Sequence, residues 1–94
     1  MTKEEYIILL EKCEKEDAMN LVYYLVGSLL SSDTMIDIES CERSIREFTA
    51  ILEALKEASV SDTHRSQLVE IAETGIRVGE QDRAIFAGEG IDER

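Results

Sequence analysis

The chain contains no proline and no tryptophan, and only 5 of its residues are glycine. Without proline no helix is forced to stop, so long uninterrupted helices are expected. Aromatic residues make up 5%, which leaves the core to aliphatic side chains. A single histidine, His64, and two cysteines, Cys13 and Cys41, are too few for a zinc site, and they stand on separate segments. Nucleophilic catalysis needs a base beside its nucleophile. His64 stands at a helix start beside Arg65, which suits a surface position better than a catalytic one. The chain is therefore expected not to be an enzyme, and no catalytic residue, metal ligand or cofactor is assigned to it. Basic residues are also scarce, 10 against 21 acidic, for a net charge of −11. A polyanion repels nucleic acid and anionic lipid, which argues against direct binding to either.

No apolar run is long enough to cross a bilayer, which takes ~20 residues. The least charged stretch, Ala18 to Ser32, includes Asn20, Gly27 and three serines. The opening Met-Thr-Lys-Glu-Glu lacks the basic start and long apolar stretch of a signal peptide. Two cysteines in such a chain read as free thiols in a reducing compartment. The expected location is the cytoplasm, of a cell or of an infected host.

What is present is helical periodicity in 94 residues, enough for one domain with a modest core. Thr2-Lys3-Glu4-Glu5 is a capping box, followed by the stripe Tyr6, Leu9, Leu10, Cys13. Asp17 breaks that stripe. Beyond it Ala18, Leu21, Val22, Leu25 and Leu29 form another, rotated by roughly 100°. The expectation is one long helix over residues 3–30, with room for a kink; the alternative is two helices with Asp17 as the second N-cap. Residues 18–30 are apolar on most of their circumference, as suits a central or interface helix. Tyr23, Tyr24, Val26 and Leu30 are assigned to a homo-oligomer interface, since aromatic anchors bury large area.

Ser31-Ser32-Asp33-Thr34 reads as a turn. After it, Ile38, Cys41, Ile45, Phe48, Leu52 and Leu55 repeat at heptad intervals, with charged residues opposite. Ser59, Ser61, Asp62 and Thr63 make a second break. The third segment places Leu68, Ile71, Ala72, Gly75, Ile76, Val78, Gly79 and Phe86 in one sector. Two inward glycines cost ~1 kcal/mol each against alanine, so close approach of another helix is expected there. The alternative is a helix that frays past residue 80. Gly88 and Gly90 should stop the helix, leaving 87–94 as a loose tail. The expected fold is all-α, a single domain over 1–94. It is a small bundle of three or four helices, with a long N-terminal helix packed on a heptad-patterned second one.

Three functions are compatible with this reading. The first is a protein-binding module, an inhibitor or adaptor whose acidic faces engage a basic, nucleic-acid-binding surface of a partner. Small helical inhibitors that phages direct against bacterial defence proteins have this look, an analogy of class only. The assigned partner-binding residues are Glu39, Glu42, Glu53, Glu57, Glu70 and Glu73. The competing account of the charge is solubility alone. The second function is a helical oligomer binding a small molecule or nucleotide. The third is a magnesium-dependent helical nucleotide pyrophosphatase. Glu39-x-x-Glu42, Glu70-x-x-Glu73 and Glu14-x-x-Asp17 have the spacing of such metal motifs. Their order is wrong for that activity, and Glu39, Glu42 and Glu73 each face an arginine at i+4.

Overall fold

A computed structural model of the chain describes residues 1–31 and 34–88. It contains four helices: α1 (Lys3–Lys15), α2 (Met19–Ser28), α3 (Ile38–Glu57) and α4 (Asp62–Phe86), with no strand among the described residues. The fold is an all-α bundle. None of these helices is long and apolar enough to cross a membrane.

The capping box at the start of α1 is formed in both directions. Thr2 Oγ1 accepts from the Glu5 amide at 3.1 Å, and the Thr2 amide donates to Glu5 Oε1 at 2.7 Å. Tyr6, Leu10 and Cys13 then turn into the core.

The expected single helix over 3–30 is not formed. Asp17 has φ +56°, so the chain leaves the right-handed region there. The Ala18 amide donates to the Cys13 carbonyl at 2.7 Å, and the Asp17 amide reaches back to Glu14 at 3.3 Å. These two bonds define a Schellman motif, with Asp17 in the place glycine usually takes. Asp17 does not cap α2 either: the N-cap is Ala18, which makes no side-chain capping bond. The break has a packing cause. It brings the rotated stripe of α2 (Met19, Val22, Val26) onto the core that Tyr6, Leu10 and Cys13 already face. A straight helix would point one of these stripes at water.

α3, not α2, is the central helix. Its heptad seam turns towards α4, although Ile38 at the start of that seam is 36% exposed. A second set, Ser40, Ser44, Ile51, Ala54 and Ala58, is also buried, and α1 packs on α3 as well. Asp37 caps α3, its carboxylate accepting from the Ser40 amide at 2.8 Å. α4 returns antiparallel to α3 after a connection in which Ala58 and Val60 are buried. Ser61 caps α4.

The α3–α4 interface is the most extensive in the molecule, and the two inward glycines explain why it is close. A methyl group at Gly75 would collide with the ring of Phe48. One at Gly79 would sit 2.8 Å from Ile45 Cγ1. α4 does not fray past residue 80. It continues to Phe86, and Ala87 and Gly88 form a turn. The expected tail from 89 onward, with Gly90, and the turn residues Ser32 and Asp33 lie outside the described residues. The molecule is elongated, 53 × 20 × 19 Å, set largely by α4, whose 25 residues extend ~37 Å.

Candidate functional site

The six assigned glutamates do not form one patch. Glu39, Glu42, Glu53 and Glu57 share the outer face of α3, but three of them are engaged within the molecule. Glu57 meets Lys3 Nζ at 2.8 Å, Glu42 accepts from Arg83 Nε at 2.9 Å, and Glu39 faces Arg43 at 3.5 Å. Glu70 and Glu73 are neighbours on the exposed side of α4 but border different hollows. Glu70 borders a hollow with Tyr23 of α2, and Glu73 borders one with Leu52 and Leu55 of α3. Glu53, Glu70 and Glu73 are exposed and make no ion pair among the described residues.

The assigned apolar interface is reduced. Val26 is 1% exposed and belongs to the core, because the turn at Asp17 swings this side of α2 inward. Tyr23 is half-buried. Its hydroxyl donates to Gln67 Oε1 at 2.6 Å and lies 2.9 Å from His64 Nδ1, tying α2 to the first turns of α4. His64 thus has a structural partner that sequence reading did not supply. Leu30 is half-buried, whereas Tyr24 is 80% exposed and Leu21 60%.

Two further side chains went unassigned. Glu47 is half-buried between α1 and α3, where it accepts a hydrogen bond from the Tyr6 hydroxyl and meets the Met1 ammonium at 3.1 Å. Burial alone would push its carboxyl up, but the bonds from Tyr6 and the ammonium outweigh this and hold it below the usual range. Burial, then the Glu47 bond, pushes the Tyr6 phenol far up. Ser44 is 5% exposed and lines a hollow of 320 Å³ beside Arg43 and Glu47. The signal for both was spacing: Ser40, Ser44, Glu47, Ile51, Ala54 and Ala58 recur at intervals of four and three along one side of the heptad seam.

Among the described residues no group of three or more His, Cys, Asp or Glu could hold a metal ion. Three carboxylates of the pyrophosphatase reading are engaged within the molecule. Glu14 accepts from the Ser61 amide at 2.8 Å, and Glu39 and Glu42 are paired with arginines. Cys13 and Cys41 are buried free thiols. Burial, aided by Asp82 and Asp37, pushes the Cys41 thiol up, away from the reactive thiolate. Comparison with known proteins returns no matching family model, no matching curated protein and no matching solved structure.

Proposed function

We propose that the chain is a protein-binding module, an inhibitor or adaptor that engages a basic surface of a partner protein through the outward carboxylates of α3 and α4. The observation that carries this reading is the acidic excess, 21 acidic residues against 10 basic, with Glu53, Glu70 and Glu73 exposed and in no ion pair among the described residues. Of 10 basic residues, Lys3, Arg43 and Arg83 are spent on internal ion pairs, and Arg65 donates to the Ala58 and Val60 carbonyls. The carboxylates of Glu53, Glu70 and Glu73 are left facing water. A surface of this kind speeds encounter with a cationic groove and loses its hold as salt shortens the Debye length from ~10 Å at 0.1 M to ~3 Å at 1 M.

The reading is tested by capturing the partner from its native host and measuring association across a salt series. Glu53→Lys combined with Glu70→Lys should slow association by about tenfold or more, an effect mainly on the on-rate. Both side chains are exposed and make no ion pair among the described residues, so the melting temperature should stay within a few degrees of the parent. Equal binding at about 0.05 and about 0.5 M salt would refute the proposal, since screening over that range must weaken a charge-driven contact.

A further inference from the structure

The hollow between the α2–α3 connection and the first half of α3 has the make-up of a small-ligand pocket. Its 320 Å³ falls at the lower end of the ~300–1,000 Å³ that such pockets occupy. Leu29 and Ile36 supply apolar wall, and Ile36 is 64% exposed.

The polar groups around it differ in what they have left to give. Ser40 Oγ accepts from the Ile36 and Asp37 amides at 2.9 and 3.0 Å and donates to the Asp37 carbonyl, so it is fully used. Thr34 Oγ1 is committed to the Leu29 and Ser31 carbonyls. Ser44 is different. Its side chain is more than nine-tenths buried, yet its hydroxyl has no hydrogen-bond partner among the described residues. No side-chain oxygen there is both fully enclosed and unpartnered, so this hydroxyl opens into the hollow. A hydroxyl that opens into the hollow is free to bond water there, or a ligand group that takes the water's place. Arg43 stands beside it; its Nη2 lies 3.5 Å from Glu39, its charge also acts on Asp37, and its guanidinium makes no other hydrogen bond among the described residues.

We propose that this hollow binds a small monocarboxylate carrying a short apolar tail. The carboxylate accepts from the Arg43 guanidinium and the Ser44 hydroxyl, and the tail lies against Leu29 and Ile36. A guanidinium fork and one hydroxyl match the two oxygens of a carboxylate. A phosphate dianion is disfavoured, because Glu47 lines the same hollow and the molecule already carries −11. The Glu47 charge is itself answered by the Met1 ammonium and the Tyr6 hydroxyl, which leaves a single anionic charge acceptable.

Titration of the full chain with hexanoate, hexanol and inorganic phosphate, followed by amide NMR, tests the site. Hexanoate should bind at about 1 mM and move the amides of residues 34–47, with hexanol at least about tenfold weaker. Ser44→Ala should weaken hexanoate about tenfold, as loss of one charge-assisted bond does, while leaving the melting temperature unchanged, since that hydroxyl bonds nothing among the described residues. Arg43→Gln should erase the preference for hexanoate over hexanol. The proposal is overturned if hexanoate does not bind, if hexanol or phosphate binds as well as hexanoate, or if neither substitution alters hexanoate affinity.

Discussion

At Gly75 the requirement is absolute smallness. The position faces the ring of Phe48, which is fully buried, and a β-carbon there has no room. Gly75→Ala should gain ~1 kcal/mol of helix propensity but lose more to overpacking, for a net destabilisation of about 1–2 kcal/mol. Phe48→Leu in the same chain should recover part of that loss, a coupling that a double-mutant cycle reads directly. Gly27 is the control. Nothing lies within 4 Å of its added β-carbon, so Gly27→Ala should stabilise, by up to ~1 kcal/mol. Urea midpoints for Gly75→Ala, Phe48→Leu, their combination and Gly27→Ala decide it, and a stabilised Gly75→Ala would mean that α3 and α4 are not this close.

Glu47 illustrates a residue whose role depends on neighbours distant in the chain. Its carboxyl is held below the usual range in the folded protein, mainly because Tyr6 and the Met1 ammonium overcome the cost of burial. The stability it contributes is therefore complete above its unfolded pKa of about 4.3, and is lost as pH falls through the lower folded value. Glu47→Gln should cost about 1–3 kcal/mol at neutral pH, since the Tyr6 hydroxyl keeps a weaker acceptor. The same variant should lose less stability than the parent between about pH 5 and pH 2. Thermal melts across that range check both.

Among the elements, α3 was the most legible and still half read. Its heptad positions marked the face that meets α4 because they are all large or apolar. The adjoining face that meets α1 mixes serine, alanine, isoleucine and glutamate at the same spacing, and a hydropathy pattern does not flag serine and glutamate as inward. Ser44 and Glu47, which line the proposed pocket, do not stand out in the sequence for that reason. The outer glutamates were placed on the right faces, but their pairing with Lys3 and Arg83 depends on which helices become neighbours, and local sequence carries no such information. The α1–α2 break was visible as a change of phase at Asp17, yet no glycine or proline marked it. Aspartate is among the few residues that tolerate positive φ. Asp17→Gly should accordingly relieve the left-handed conformation and raise stability by about 0.5–1 kcal/mol, which for a chain this size shifts Tm upward by ~2–8 °C. Asp17→Val should lower it. If Asp17→Gly melts below the parent, the Schellman turn is not the element that joins these helices.

For the whole molecule the question is whether the acidic excess helps or hinders folding. The ion pairs are solvent-exposed, worth ~0–1 kcal/mol each, whereas 21 carboxylates against 10 bases repel one another across a molecule only 20 Å thick. Repulsion of that kind acts at longer range than the pairs and is the first to be screened as the Debye length falls. Raising sodium chloride from about 0.02 to about 0.3 M should therefore raise Tm by a few degrees, and a fall would mean that the pairs dominate. The position of each charge sharpens the test. Removing unpaired outward charge by combining Glu53→Gln, Glu70→Gln and Glu73→Gln should leave the fold as stable or more so, while Glu47→Gln, in its half-buried network, destabilises. A surface that costs stability is retained when function needs it. If the triple variant melts higher and has lost the salt-sensitive partner, those carboxylates are kept for binding. If it melts higher and holds its partner unchanged, the charge serves solubility, and the contact passes to the exposed Leu21 and Tyr24 of α2.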